Sequence, residues 1–309
     1  MPSNEKDNPN ADTASDKKRV SSFFGQLFSP ITSTLDFFQK YFKSLLFLLI
    51  LLLLFAPIGS ESVKPPNLAI LNLSGPIMNA GKLVKEITDL RKEKSIKGVL
   101  FIVDSPGGAV APSVEISMAI KRLRAKKPVV AYAAGTMASG SYYASIWSSK
   151  IVANPAATIG SIGVIMEGLN IKGLADKLGI KPQVVKAGKY KEAGTPFREW
   201  TPDERREIET HVLDIYHLFI QDVANARHLD AKHPEKFADA RIFISEKAKK
   251  VGLIDEIGSI EDAKDITKKL SGVKEAHWKE KSKLEEYIEN LAQNSAITFA
   301  NQLKSWLIR

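Results

Sequence analysis

The sequence predicts an α/β domain, a mostly parallel β-sheet with flanking helices, preceded by a single transmembrane helix. Three observations predict it. Between residues 68 and 153, short apolar runs alternate with stretches of helical spacing. The runs are apolar at nearly every position rather than at every second one, as in strands covered on both faces. A separate apolar stretch, 41–58, stands ahead of this alternation.

Residues 1–22 are rich in Asn, Asp, Ser and Lys, and 1–40 is expected to be a disordered cytoplasmic tail. From Leu45 to Phe55 the chain is unbroken Leu, Phe and Ile, and 41–58 holds only Lys43 and Ser44 as polar residues. At about 1.5 Å per residue this length just spans a hydrocarbon core. A cleaved signal peptide is the alternative. Some 40 residues precede the stretch and no A-x-A site follows, so a retained signal anchor is the better reading. Lys17, Lys18, Arg19, Lys40 and Lys43 lie before it and Lys64 just after. That bias predicts a single-pass protein of the inner (cell) membrane, N-terminus cytoplasmic and main domain extracytoplasmic.

Residues 59–67 read as a linker, and 68–272 as the main domain. Strands are expected at 68–73, 98–103, 128–134 and 150–153, with helices at 82–94, 112–125 and 139–149 between them. A long helix is expected over 201–227: Thr201 caps it, Pro202 suits its first turn and Glu204 completes a capping box. Its apolar stripe is Ile208, Val212, Ile215, Phe219 and Val223. Strand, helix, strand follow at 240–245, 246–251 and 253–257. The remainder, 273–309, is expected to be an amphipathic extension, either packed on its own domain or a neighbour, or lying on a membrane surface.

Composition narrows the chemistry. The net charge is +9, but Lys and Arg are scattered without interleaved aromatics, so no nucleic-acid partner is expected. The absence of cysteine removes disulfides, thiol nucleophiles and cysteine-bound zinc. There is no Walker loop, HExxH or GxSxG, and no cofactor or metal is expected. The five histidines, His211, His217, His228, His233 and His277, all follow the alternating core, and nothing favours a Ser-His-Asp triad.

Four elements remain. Asp104-Ser-Pro-Gly-Gly108 joins a strand to a helix, where amides can face negative charge. Ala133 to Tyr143 brings Ser139 to the end of a strand, at the edge where open α/β sheets bind ligands. The third is 154–164, containing Gly160-Ser-Ile-Gly-Val164, and the fourth is Lys186-Ala-Gly-Lys-Tyr-Lys-Glu192. Taken singly, each has an ordinary reading: a turn, an N-cap, a loop, a solvated lysine.

In this order, and with 240–243 and 252–255, they resemble the signal peptide peptidase A family, membrane-bound serine peptidases related to the Clp protease and crotonase folds. The resemblance covers about residues 68–265. It implies that Ser139 is the nucleophile, Lys191, 52 residues on, the general base, and Ser161 the hydroxyl that positions the lysine. Gly107 or Gly108, with Gly140, supplies the oxyanion amides. Where the family usually has a second glycine, this chain has Ser141, a rival nucleophile; Lys189 is the rival base. A lysine base of this kind must lose its charge near neutral pH, which takes about 4 kcal/mol of burial and field relative to its free pKa of about 10.4.

The resemblance further implies a serine endopeptidase acting on residual signal peptides or other small membrane-associated peptides, which lie extended against Ala109, Val110, Ile162, Gly163 and Val164. It also implies a homo-oligomer with sites between copies. A crotonase-like acyl-thioester enzyme and a non-catalytic membrane scaffold are the alternatives.

Overall fold

The computed structural model describes residues 39–51 and 64–279, and the chain divides into two units at Val63/Lys64. The first contains one described helix, α1, 39–51, whose side chains are exposed apart from half-buried Leu45. The expected span 41–58 thus lies partly outside the described residues. No described helix is long and apolar enough to cross a membrane. The expected tail up to residue 38 lies wholly outside them.

The second unit is built on an eight-stranded sheet. Strands β1 (Leu68–Ser74), β2 (Gly98–Ser105), β3 (Val129–Ala138) and β4 (Lys150–Ala153) are parallel neighbours. Helices α2 (Gly81–Lys92), α3 (Val110–Arg124) and α4 (Gly140–Ser145) carry the chain back between them. The far edge of β3 is shared. Its first half pairs with β4 and its last three residues with β5 (Thr158–Gly160). A bulge accompanies the changeover, because Val103 faces Ala133 but Ser105 faces Met137. The Thr136 amide there donates instead to the Asp104 carboxylate at 2.9 Å.

Beyond β5 come α5 (Lys172–Lys177), the long α6 (Pro202–Arg227) and β6 (Ile242–Ile244), which lies antiparallel to β5. Helix α7 (Ser245–Lys250) leads to β7 (Glu256–Ile257) beside β4. Helix α8 (Ile260–Leu270) leads to β8 (Trp278–Lys279) beside β1.

The strand pleat explains the continuous apolar runs. Leu100, Val130, Tyr132 and Val152 face α8, whose Ala263 is buried among them. Val99, Phe101, Val129, Ala131 and Ile151 face the other way, into the main core with α2, α3 and the second half of α6. Most positions on both faces are buried, which is why the strands are apolar at successive residues.

Several boundaries differ from expectation. The helix expected over 139–149 is only the six residues of α4, because Ser149 donates to the Val129 carbonyl at 2.7 Å and turns the chain into β4. The strand expected over 253–257 shortens to β7, while Leu253 and Ile254 enter the core. The domain does not stop at 272: the His277 carbonyl accepts from Asn67 and Leu68, which seats β8 against β1. The part of the amphipathic extension beyond 279 lies outside the described residues.

The capping box of α6 forms as the sequence indicates, with Thr201 and Glu204 reciprocally bonded. Its apolar stripe is only partly core. Phe219 and Val223 are buried, whereas Ile208, Val212 and Ile215 are half-exposed. These three line shallow grooves, the first two with Val164 and Trp200, the third with Val110 and Val114.

Candidate active site

The parallel strands deliver their carboxyl ends to one edge, and the chemistry gathers there. β3 ends at Ala138, and Ser139 follows at φ 52°, ψ −124°, ahead of α4. This conformation is sparsely populated for a residue with a side chain and costs on the order of 1–3 kcal/mol. It is held from several sides. The Ser139 amide donates to the Gly160 carbonyl at 2.7 Å, and its carbonyl accepts from Tyr143 at 3.0 Å. Its side chain remains half-exposed.

Ser161 follows β5 as Ser139 follows β3. Since Ala138 pairs with Gly160, the two serines are at the next register position of adjacent parallel strands. Ser161 also has positive φ, 49°, and its amide donates to the Arg241 carbonyl at 2.9 Å. The sheet thus brings together two serines separated by a long excursion in sequence.

The turn after β2 packs against this corner. Gly107 sits at φ 93°, and a Cβ there would lie 2.6 Å from the Gly140 nitrogen and 2.8 Å from the Ser139 Cβ. A Cβ on Gly108 would lie 2.2 Å from the Ile77 carbonyl oxygen. Both glycines are therefore required by close approach of backbone to backbone. Their amides differ. Gly107 donates to Ser105 Oγ at 3.2 Å and is committed. Gly108 and Gly140 have no acceptor among the described residues, and the Gly108 nitrogen is 3.3 Å from a Cβ built on Gly140. Of the two turn glycines considered from sequence, geometry leaves Gly108 as the donor that can pair with Gly140. Gly107 serves by shape.

Ser141 has a different task. It is wholly buried; its hydroxyl donates to the Ser105 carbonyl at 2.6 Å and accepts from the Ala138 amide at 2.9 Å. It ties the end of β2 to the start of α4. Ser113 makes a similar brace, donating to the Ala109 carbonyl at 2.8 Å while filling the space over Gly140. Sequence reading missed this hydroxyl scaffold. Its only sequence signal is serine on buried helix positions.

Among the residues expected to hold an extended peptide, Ala109 and Val110 are exposed and Gly163 and Val164 half-exposed. Ile162 is different. Its side chain is fully buried in the core and its carbonyl accepts from Ala240 at 3.0 Å, so it supports the edge rather than lining it. Beside Gly140 an apolar recess is formed by Val110, Val114, Tyr143, Ile215, Leu218 and Phe219. The Tyr143 hydroxyl donates to the Asp222 carboxylate on α6, closing the recess. Burial foremost, and then this carboxylate, pushes the Tyr143 phenol up from its ordinary range.

The lysine-bearing turn lies on the surface. Lys189 is ion-paired with Asp203 at 2.7 Å, and the hydrogen bond to that carboxylate raises its pKa, the wrong direction for a base. Lys186 is held by Glu192 at 2.7 Å. Lys191 is exposed and has neither ion pair nor hydrogen bond at its amine among the described residues; none joins it to Ser139. Among the described residues of one chain, no dry pocket forms around this amine.

Arg198 fastens this turn to α6. It donates to both oxygens of buried Glu204 at 2.8 Å and to Glu192 at 3.1 Å. The Arg198 bonds foremost, with those from Thr201, hold the Glu204 carboxyl down to about 2, from 4.5. A depressed acid stabilises the fold above its unfolded pKa and loses that contribution as pH falls through its folded one. Wild type is therefore expected to exceed Glu204→Gln in urea stability at neutral pH. The gap should shrink between about pH 4.5 and 2, as read from paired urea titrations across that window.

A strained serine at the carboxyl edge of a parallel α/β sheet, beside two amides with no acceptor among the described residues, is an arrangement whose chemistry can include nucleophilic attack with oxyanion stabilisation. Comparison with known proteins gives the family. The sequence pattern of "Peptidase family S49" matches residues 121–274, a range that includes Ser139, Ser161 and Lys191. A Methanocaldococcus jannaschii protein, named as an inferred protease, is 43% identical over 187 residues, covering 60% of each chain. An Enterococcus faecium protein, named as an inferred signal peptide peptidase, is 37% identical over 193 residues, 62% of this chain and 56% of the relative. The "Serine protease SPPA, chloroplastic" of Arabidopsis thaliana is 32% identical over 217 residues, 70% of this chain and 32% of that one. The chain belongs to peptidase family S49. It spans less than two thirds of the length of these relatives.

Proposed function

We propose that the protein is a membrane-anchored serine endopeptidase in which Ser139 attacks a peptide carbonyl and Lys191 takes its proton. The observation that carries this reading is the pair of unengaged amides, Gly108 and Gly140, beside a serine held at φ 52°. As the carbonyl becomes tetrahedral, its oxygen gains charge and the two amides hold it. The leaving amine departs with a proton from the lysine, and water then releases the acyl group from Ser139. Ser161, one register step away, orients the amine.

The recess beside Gly140 suits a small apolar side chain, and the backbone of 163–164, without a backbone partner among the described residues, offers hydrogen bonds to an extended substrate. These features, with the name of the Enterococcus relative, support residual signal peptides or other small membrane-associated peptides as substrates. The apolar stretch 41–58 supports a single-pass anchor, N-terminus in the cytoplasm and peptidase domain outside it. A homo-oligomer is part of the reading. Ile165, Leu169 and Val185 are 83%, 75% and 104% exposed in one chain, apolar surface that a neighbouring copy would cover. The free Lys191 amine fits delivery to the Ser139 of another copy, where the interface would supply the burial its role requires.

Mixing variants tests both chemistry and assembly. Ser139→Ala and Lys191→Ala should each be inactive on a fluorogenic peptide, and Lys189→Ala should keep most activity. Co-assembled Ser139→Ala and Lys191→Ala subunits should regain part of the wild-type rate. Full activity in Lys191→Ala would overturn the assigned base, and absence of recovery on mixing would place the dyad within one copy.

A further inference from the structure

The opposite edge of the sheet, where the parallel strands begin, has a pronounced charge. Helices α2, α3 and α8 run back antiparallel to the strands, so their C-termini collect there. Contacts confirm the gathering. Lys127 donates to the Leu90 and Glu93 carbonyls at 2.5 Å, and a Cβ on Gly98 would meet Ser271. The last turns and following loops, 91–97, 121–128 and 268–277, carry twelve Lys and Arg against two Glu. Both glutamates are engaged by lysines from outside these segments, Glu93 by Lys279 at 2.7 Å and Glu275 by Lys64 at 2.6 Å. None of the twelve cations stands in an ion pair among the described residues.

Helix dipoles account for part of this, since cations in a last turn face partial negative charge. That effect fades beyond the turn. Lys94, Lys97, Lys126 and Lys274 lie past the helix ends and have no carboxylate partner among the described residues. Lys127 serves as a cap. The excess is a surface property of one edge, not of the whole domain.

The chain also enters at this edge. Lys64, the first described residue of the domain, is paired with Glu275 here. Residue 58, the last of the apolar stretch, precedes it by six positions, a reach of at most about 20 Å. The face at which the chain enters is thus predominantly of one charge sign, complementary to anionic headgroups.

We propose that this basic edge docks on the anionic phospholipid headgroups of the bilayer that holds the anchor. The proposal rests on the anchor reading of 41–58. Ser139 follows the ten-residue β3 at its far end, so docking points the candidate site away from the headgroups. At about 3.3 Å per strand residue it stands about 30 Å from the docked edge. Substrates then arrive as peptides already free of the bilayer core.

The chain has no cysteine, so single labels can be placed on the full-length protein. A donor dye at Ala125→Cys, on the basic edge, or at Ser74→Cys, at the opposite end of β1, is read by energy transfer to an acceptor lipid in nanodiscs. With phosphatidylglycerol discs, transfer from the Ala125 position should exceed that in phosphatidylcholine discs by on the order of twofold. The increase should vanish at about 0.5 M salt and in the Arg122→Glu, Arg124→Glu, Lys126→Glu variant, and be absent from the Ser74 position. Equal transfer in the two lipids, or an equal rise at both label positions, overturns the proposal. So does protection of the edge by single-stranded RNA without any response to phosphatidylglycerol. The anchor is read separately. If alkaline carbonate strips the chain from vesicles, the anchor reading fails, while the docking proposal stands or falls on whether the released chain rebinds anionic rather than neutral vesicles.

Discussion

Ser139→Ala is expected to remove peptide turnover by at least about three orders of magnitude while leaving the fold intact, and Ser141→Ala to do the reverse. The two hydroxyls are only two residues apart but differ in environment. Ser141 is fully buried with its oxygen already shared between Ala138 and Ser105. Removing it leaves a buried amide without an acceptor, a loss of about 1–3 kcal/mol. Ser139 is half-exposed and has no side-chain hydrogen bond among the described residues, so truncation costs the fold little. Its positive φ gives a further contrast. Ser139→Gly should be as inactive as Ser139→Ala yet more stable by about 1 kcal/mol, because glycine relieves the backbone strain. Mass spectrometry after a serine-reactive inhibitor, with thermal unfolding of the three variants, checks the set. Label recovered on Ser141, or on no serine, sinks the assignment of Ser139.

Gly107→Ala is expected to be among the most damaging single methyls in the domain. The added Cβ would lie 2.6 Å from the Gly140 nitrogen and 2.8 Å from the Ala138 oxygen, at φ 93°. Both neighbours are backbone and belong to the corner that holds Ser139. Strain and overlap together should cost about 2–5 kcal/mol. Whatever relaxation occurs must move the Gly140 donor, so the acylation rate should fall well beyond the loss of folded protein. Gly75→Ala is the control. Its φ is 70°, but nothing lies within 4 Å of the added Cβ, so strain alone applies, about 1–2 kcal/mol, with the acylation rate unchanged. Urea unfolding and inhibitor burst kinetics on both variants separate the effects. Equal stability losses in the two would show that crowding at Gly107 is not the cause.

Legibility in the sequence followed locality. The capping box of α6 was readable because Thr201 and Glu204 are three residues apart and satisfy one another. Strands β1 to β4 were readable because burial on both faces leaves unbroken apolar runs. By contrast, β5 has three residues and β7 two, too short for any period, and they exist because β3 offers them an edge. The stripe on α6 showed which positions share a face but not what covers them. Ile208 and Ile215 line grooves near the candidate site instead of filling the core.

The candidate site divides in the same way. The family resemblance, carried by four motifs in order, pointed to Ser139, Ser161 and the glycines at 107, 108 and 140, but not to which amide is free, nor to Ser141 as a brace. Those facts depend on where β2 ends relative to β3, which no local pattern encodes.

The sequence by itself determined the strand–helix alternation, the apolar stretch ahead of it, and the residue types gathered in four short motifs, because burial period and backbone preference are properties of neighbours in the chain. Tertiary structure alone decided that Gly108 rather than Gly107 has an open amide, that Lys189 is neutralised by Asp203 while Lys191 is not, and that twelve cations from three helix ends share one edge. Each depends on which groups parallel strands bring side by side, and hydrogen bonds and charges act through space, without regard to distance along the chain.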